Sequence, residues 1–218
     1  MEYPLINKDY KADAVILAAG DYPSHNIPLS ILQEAKYVCC CDGSAVDYII
    51  KGNTPNAIVG DGDSLSEEFK EKYASILHTE TEQDYNDLTK ATRFCLSKGY
   101  KVIVYLGATG KREDHALGNI SLLAWCIDHF DVYPVMITNY GYFVPARESN
   151  VFRTFIGQQI SIFNVNCKKI KSKGLKWDAY AGEWFWQGTL NEAIGNEVEL
   201  DADGLYLVYR TFESKESI

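Results

Sequence analysis

The feature that most restricts the fold is a repeated alternation of short apolar segments with helical patterns over about the first 130 residues. Three apolar segments, 14–19, 37–41 and 57–59, each run into a glycine and an aspartate and are followed by a helical pattern. A fourth segment, 101–106, is rich in β-branched residues and ends at Gly107. Strands that are apolar throughout are buried on both faces, which predicts a mainly parallel sheet covered by helices on both sides.

The second half of the chain has a different pattern, which begins after about residue 139. Apolar residues alternate or run together over strand lengths, and glycines separate the segments, as in antiparallel β-structure. The strand-like segments are 142–145, 150–155, 159–163 and 197–200. We therefore predict an α/β nucleotide-binding domain over 1–141, followed by a small all-β domain, a β-sandwich, over 142–218.

Length and charge narrow the class of function. The 218 residues carry a formal net charge of −9, which disfavours electrostatic capture of nucleic acid. A small cationic substrate suits this charge better than a polyanion. The hydrophobic content of 46% is enough for one large core or two modest ones.

The six cysteines and the amino terminus bear on the compartment. Cys39, Cys40 and Cys41 are consecutive, and no C-x-x-C spacing suggests zinc or a redox dithiol. Buried thiols in a reducing compartment are the simpler interpretation. Residues 1–13 contain early charges and no long apolar run, so we expect neither a signal peptide nor a membrane anchor. The sequence predicts a cytoplasmic protein with no membrane or nucleic-acid partner.

Acidic residues follow two of the predicted strands, at the edge where ligands collect in parallel sheets. Asp42 ends the second strand, and Asp61 and Asp63 flank Gly62 after the third. Carboxylate oxygens are ligands that Mg²⁺ prefers, and the glycine permits close approach of a phosphate. In the alternative interpretation the segment is a polar turn in which Asp63 or Ser64 caps the next helix. The acidic set predicts a Mg²⁺-dependent enzyme that acts on a phosphorylated substrate.

A further acidic segment, 83–87, precedes the helix that begins near Leu88. Acids in the first turn of a helix also complement the helix dipole, which is the structural alternative for this segment. The functional interpretation uses Asp87 as a metal ligand and Gln83 as a polar contact to substrate. Several acids close together repel one another without a cation, so a metal makes the set physically consistent.

The loop 107–115 follows the fourth strand and has a different chemistry. A glycine-containing turn between a strand and a helix exposes backbone N–H groups, while Lys111 and Arg112 add charge suited to phosphate oxygens. Asp114 either orients Arg112 or contacts substrate. The loop fits neither G-x-x-x-x-G-K-[ST] nor G-x-G-x-x-G, so neither of those phosphate-binding mechanisms is inferred.

Three tryptophans, Trp177, Trp184 and Trp186, lie in the sandwich half. A tryptophan at a rim can stack on a flat heterocycle and attract a cation, although most tryptophans simply fill a core. We single out Trp177 because residues 174–176 resemble a turn that leads into a strand.

Taken in order, these segments resemble the thiamine pyrophosphokinase family, whose members are also called thiamine diphosphokinases. The matching segments are 42–43, 60–64, 83–87, 107–119, 174–177 and 188–191. The resemblance implies an α/β nucleotide-binding domain followed by a β-sandwich. It also implies transfer of a pyrophosphoryl group from ATP to the hydroxyl of thiamine, which gives thiamine diphosphate and AMP.

The resemblance further implies a role for each matching residue. Mg²⁺ on the triphosphate is held by Asp61, Asp63 and Asp87, and Asp42 lies beside them as a catalytic ligand or orienting group. Contacts to ATP and its phosphates come from Gly43, Ser64, Gly107, Gly110, Arg112 and Asp114. Contacts to thiamine come from Gln83, Trp177, Thr189 and Asn191. Family members are homodimers in which the sandwich of one subunit encloses thiamine on the other, so the implied active site lies at a subunit interface.

Two positions depart from the family pattern. Asn86 stands where threonine is usual, and Lys111 stands where a second glycine is usual. Asn86 keeps the capacity to hydrogen-bond, whereas Lys111 reduces the backbone freedom of its loop and adds charge near the phosphates.

Two other functions stay open at this point. One is a phosphotransferase with the same fold and metal that acts on another small alcohol. The other is a thiamine or nucleotide sensor that keeps the pocket but has little turnover. The presence of Asp61, Asp63 and Asp87 argues for an enzyme over the sensor.

Overall fold

The computed structural model describes residues 1–215, and within them the predicted alternation of strands and helices is present. The helices are α1 (Asn26–Gln33), α2 (Ser44–Ile50), α3 (Glu67–Lys72), α4 (Asp87–Ser97) and α5 (Glu113–His129). The strands of the first half are β1 (Glu2–Tyr3), β2 (Ala14–Leu17), β3 (Val38–Cys41), β4 (Ala57–Gly60), β5 (Leu77–Thr79), β6 (Val102–Leu106) and β7 (Tyr133–Ile137). Those of the second half are β8 (Gly141–Arg147), β9 (Asn150–Arg153), β10 (Gln158–Asn164), β11 (Ile170–Lys173), β12 (Asn191–Glu192), β13 (Glu197–Ala202) and β14 (Leu205–Ser214).

A ten-stranded sheet runs through both halves of the chain in the order β12-β10-β14-β8-β7-β6-β2-β3-β4-β5. The strands from β7 to β5 are parallel to one another, as the apolar segments predict. The strands from β8 to β12 are antiparallel, and β8 joins the two parts by pairing Phe143 with Met136 of β7. The α/β half and the β-rich half therefore share one continuous sheet, and the domain division at residue 141 stays a prediction.

A second, four-stranded sheet has the order β1-β9-β13-β11. Its residues Phe152, Val198 and Leu200 belong to the same hydrophobic cluster as Val144 and Val208 of the large sheet. The two sheets thus pack face to face over part of their area. Strand β1 pairs in parallel with β9, so the amino-terminal residues belong to this small sheet although they precede the α/β segment.

The parallel strands send alternate side chains to opposite faces of the sheet. Ile16 and Cys39 pack in a cluster with residues of α4 and α5, whereas Val15 and Cys40 pack in a cluster with residues of α1 and α2. All six cysteines are buried and unpaired, and burial raises the pKa of Cys40 to about 12. Helices on both faces leave the carboxyl edge of the parallel strands as the accessible edge of the sheet.

Among residues 1–215, no helix combines the length and the apolar character that a bilayer crossing requires.

Candidate active site

Three aspartates meet at the carboxyl edge of β3 and β4. Asp42 directly follows β3, Asp61 and Asp63 follow β4, and one carboxylate oxygen from each lies within 4.8 Å of the other two. Two glycines make this arrangement possible. A Cβ added at Gly60 would lie 2.8 Å from the Cβ of Asp42, and Gly62 has a φ of +78°, which favours glycine. The three carboxylates form a group that could hold a divalent cation.

Asp42 is the buried member of this group. Its Oδ2 accepts a hydrogen bond from the backbone N–H of Ser64 at 3.2 Å, while its Oδ1 is buried without a hydrogen-bond partner among residues 1–215. A buried carboxylate oxygen with no partner is costly, and a bound cation would satisfy it. The oxygen-only ligand set and this orphaned atom fit Mg²⁺.

The carboxyl groups of the site shift one another's pKa values. Hydrogen bonding with Asp63 lowers the pKa of Asp61, whereas hydrogen bonding with and repulsion by Asp61 raise the pKa of Asp63. Burial raises the pKa of Asp87, an effect that Lys90 opposes and that repulsion by Asp61 reinforces. The set therefore resists full ionisation on its own, and a divalent cation would favour the ionised form.

Asp87 lies close to this group without being a member of it. It is the first residue of α4, and its carboxylate is 3.8 Å from the ammonium of Lys90, which is only 2% exposed. Sequence reasoning did not single out Lys90. The sequence did contain a signal for its burial, because Lys90 stands between Thr89 and Ala91, which are buried on the core-facing side of α4.

Gln83, predicted to contact thiamine, lies beside the aspartates. It is exposed, its side-chain amide donates to the carbonyl of Thr81 at 3.3 Å, and it is near enough to Asp61 to help lower the pKa of that carboxyl. The prediction that Gln83 and the predicted metal-binding aspartates share one site is therefore consistent with the geometry, and the thiamine contact stays a prediction.

A chain of side-chain amides connects the start of α4 to the loop after β6. Asn86 caps α4 by accepting from the backbone N–H of Thr89 at 3.0 Å, and its amide donates to Asn119 at 3.2 Å. Asn119 donates in turn to the carbonyl of Ala108 at 2.8 Å. This series of hydrogen bonds connects the start of α4, beside the aspartates, with the predicted phosphate loop at the same edge of the sheet.

The loop after β6 is held against the loop after β2. The N–H of Gly20 donates to the carbonyl of Gly107 at 2.6 Å, and Lys111 Nζ donates to the carbonyl of Ala19 at 2.8 Å. Gly107, Gly110 and Lys111 have positive φ values, of +62°, +79° and +57°. Lys111 thus adopts the left-handed conformation that a glycine would adopt more easily, and its side chain anchors the loop instead.

Arg112 and Asp114 form an exposed ion pair with an Nη2 to Oδ2 distance of 2.6 Å. The guanidinium of Arg112 lowers the pKa of Asp114 to about 2. This ion pair is the contact that the orienting role of Asp114 requires, and the role itself stays a prediction. The other two predicted phosphate residues lie beside Asp42, where Gly43 precedes α2 and would place a Cβ 3.3 Å from the Cβ of Ser64.

The three remaining thiamine candidates lie together in the β-rich half. Trp177, Thr189 and Asn191 line one cavity of about 240 Å³. Asn191 donates to the carbonyl of Trp177 at 2.8 Å, and the hydroxyl of Thr189 donates to the carbonyl of Trp186 at 2.7 Å. Within residues 1–215, no hydrogen bond or ring contact joins these three to the aspartates. One chain therefore carries two separate clusters of predicted site residues.

Family models match both halves of the chain. The catalytic domain of thiamin pyrophosphokinase matches residues 29–136, and the substrate-binding domain of the same enzyme matches residues 141–209. The chain belongs to the thiamin pyrophosphokinase family. The aspartates and the loop after β6 lie in the first matched segment, and the cavity around Trp177 lies in the second.

Individual members of the thiamin pyrophosphokinase family are similar to this chain in sequence and in structure. Thiamin pyrophosphokinase 1 of Caenorhabditis elegans is 32% identical over 135 residues, which are 56% of this chain and 54% of that protein. Thiamine pyrophosphokinase of Bacillus subtilis is 40% identical over 86 residues, which are 38% of this chain and 40% of that protein. The matched part of the chain thus spans about half or less of these curated relatives. The crystal structure of the Bacillus subtilis enzyme is similar at a TM-score of 0.73 and 22% identity, over 92% of this chain and 99% of that chain, so the fold is shared.

Proposed function

We propose that this protein is a thiamine diphosphokinase, which transfers the pyrophosphoryl group of ATP to the hydroxyl of thiamine and releases AMP. The observation that carries the proposal is the group of three carboxylates at the sheet edge, within the segment that matches the family's catalytic domain. The orphaned Oδ1 of Asp42 supports Mg²⁺ as the cofactor.

Each part of the site has a defined task in this proposal. Asp42, Asp61 and Asp63 would hold Mg²⁺, which neutralises charge on the triphosphate when bound. Gly60 and Gly62 leave room beside the carboxylates. Contacts to ATP would come from the nearby Gly43 and Ser64 and from the loop after β6, through the backbone N–H groups of Gly107 and Gly110 and the guanidinium of Arg112, which Asp114 orients. Catalysis by such a site depends mainly on positioning and on charge neutralisation.

Two roles are open to Asp87 in this reaction. It could complete the metal site, or it could accept the proton of the thiamine hydroxyl as that oxygen attacks the β-phosphorus. The variant Asp87→Asn separates the two. A ligand role requires weaker Mn²⁺ binding in the variant, whereas a base role requires unchanged Mn²⁺ binding together with loss of turnover.

We further propose a homodimer in which the cavity around Trp177 of one subunit faces the aspartates of the other. Support comes from the separation of the two clusters within one chain and from a set of exposed apolar side chains around the cavity. These side chains are Trp177, Tyr180, Trp184, Phe185, Trp186 and Leu190. In this arrangement Gln83 and the residues Trp177, Thr189 and Asn191 contact thiamine from two sides.

We also place the boundary between the α/β domain and the β-rich domain at residue 141. The buried unpaired thiols support residence in the cytoplasm.

The decisive experiment incubates the purified protein with ATP, Mg²⁺ and thiamine and quantifies nucleotides and thiamine phosphates. We expect AMP and thiamine diphosphate in equal amounts, with neither formed when thiamine or Mg²⁺ is omitted. ADP with thiamine monophosphate would contradict the proposal and indicate a simple kinase. Thiamine binding without turnover would indicate a sensor, and turnover with another alcohol alone would indicate a different phosphotransferase.

A further inference from the structure

Lys90 is a buried lysine at the base of the aspartate site. It occupies the first turn of α4, its side chain is 2% exposed, and it is the only lysine that is buried among residues 1–215. Helix α4 packs against β3 and β4, the strands from which Asp42 and Asp61 follow. The ammonium group is therefore held at the carboxyl edge by the same elements that position the carboxylates.

The hydrogen-bonding capacity of this ammonium group is unused. Its nearest anionic partner is Asp87 Oδ1 at 3.8 Å, which is within ion-pair range and beyond hydrogen-bond distance. No side-chain hydrogen bond of Lys90 is present among residues 1–215, although an ammonium carries three donors. Burying an ammonium group is costly unless its donors are hydrogen-bonded, and the ion pair with Asp87 leaves them open, so this position calls for an acceptor from outside the chain.

The surroundings define which acceptor fits. The charge of Lys90 acts on both Asp87 and Asp61, so the ammonium lies on the side of the site that faces the acidic group. An anion could enter among these carboxylates only together with a cation that neutralises them. A metal-bound polyphosphate brings both, and lysine binds phosphate oxygens as a compact point charge.

We propose that Lys90 is a substrate-contacting residue whose ammonium donates hydrogen bonds to a non-bridging oxygen of the polyphosphate. This inference rests on the proposed function, which supplies a polyphosphate to the aspartate site. The contact neutralises phosphate charge from the buried side of the site. No proton is transferred and no bond is formed to the lysine.

The test compares Lys90→Met with Lys98→Met, an exposed lysine at the end of the same helix. Inorganic tripolyphosphate with Mg²⁺ is titrated by calorimetry, and Mn²⁺ alone is titrated by electron paramagnetic resonance. We expect K90M to bind tripolyphosphate about 10- to 100-fold more weakly, the range for a hydrogen bond to a charged group, and K98M to bind it normally. Mn²⁺ alone should bind K90M as tightly as the wild type or more tightly, because a like charge has been removed.

Two results would overturn the inference. One is equal tripolyphosphate affinity in K90M and wild type. The other is weaker Mn²⁺ binding in K90M without phosphate, which would mean that Lys90 only holds Asp87 in place. The proposed function fails separately, if the wild type makes no AMP with thiamine.

A measurement on the unaltered protein covers the case in which K90M does not fold. Wild-type protein labelled with ¹⁵N at lysine Nζ should show a slowly exchanging ammonium resonance from the buried Lys90. We expect it to shift when tripolyphosphate is added in the presence of Mg²⁺, and to shift much less with Mg²⁺ alone. An unchanged resonance at saturating tripolyphosphate would also exclude the contact.

Discussion

Asp42 shows how a single residue can be strained by its surroundings. It is a non-glycine residue with a φ of +39°, it is buried, and one of its carboxylate oxygens has no partner among residues 1–215. Each property costs free energy, and such costs persist where the rest of the fold enforces them. Together they agree with the proposed role of Asp42 as a metal ligand.

Replacing Asp42 with asparagine removes a negative charge from the buried end of the acidic group. We expect Asp42→Asn to weaken Mn²⁺ binding by at least about 100-fold, beyond the 10- to 100-fold typical of residues that only support metal ligands. The control is Asp47→Asn, an exposed aspartate on the neighbouring α2. Affinities of D42N and D47N within a few-fold of each other would contradict the assignment.

A substitution at Gly60 tests the same site by steric displacement and leaves its charges unchanged. A methyl group at this position would lie 2.8 Å from the Cβ of Asp42 and would displace it. Gly60→Ala should therefore reduce Mn²⁺ affinity while the protein stays folded. The control is Gly118→Ala in α5, where an added Cβ would meet no atom within 4 Å outside its chain neighbours and the local helix backbone, and where alanine should stabilise the helix by about 0.5–1 kcal/mol. Normal metal binding by G60A would show that Asp42 tolerates displacement.

At the scale of elements, the start of α4 combines a helix cap with a contact to the candidate active site. Asn86 caps the helix and connects it to Asn119, so the same side chain positions Asp87 and holds the loop after β6 nearby. The departure from the threonine usual in the family thus keeps the capping hydrogen bond and adds an amide donor that threonine lacks.

Loss of this cap should lower the free energy of unfolding by a measurable amount. We expect Asn86→Ala to lower the free energy of unfolding by about 0.5–2 kcal/mol, the usual value for an N-cap. Asn86→Thr should recover most of that loss, because threonine also caps, but should not restore the bond to Asn119. Urea unfolding of both variants measures the difference, and equal stability of N86A and wild type would show that the cap contributes nothing.

Elements with a strong local pattern were predicted well. The parallel strands β2, β3, β4 and β6 lie within or near the apolar segments, because continuous burial leaves a continuous apolar sequence. Helix α5 begins at Glu113, inside the segment 107–115 that the sequence predicts as a loop, since its first turn is charged and resembles a loop. Strands β1, β7, β11, β12 and β14 were not predicted, and the turn before Trp177 leads only to an isolated bridge between Leu175 and Ala193. Pairing partners distant in sequence determine such elements.

At the scale of the whole molecule, one sheet connects the two clusters of predicted site residues without bringing them together. The aspartates lie at β3 and β4, near one end of the strand order, while the cavity around Trp177 lies by β10 and β12 at the other end. A second copy of the chain would allow the two clusters to meet, as the proposed homodimer requires.

A mixing experiment tests this arrangement. Asp61→Asn and Trp177→Ala should each be nearly inactive as pure dimers. Unfolded together and refolded, they should recover about one quarter of wild-type activity, because half of the dimers are hybrids and each hybrid has one intact site. An inactive mixture that still contains hybrid dimers would place both clusters of one active site in the same chain.

The sequence by itself determined the alternation of strands and helices between β2 and α5, and it identified the acidic and glycine-containing segments at the strand ends. It did so because periodicity and turn residues are local properties that every short segment carries. Only the tertiary structure brought Asp42 together with Asp61 and Asp63 and placed the buried Lys90 beside Asp87. Those facts depend on which strands are neighbours and on how α4 packs against them, and such contacts join residues far apart in the chain.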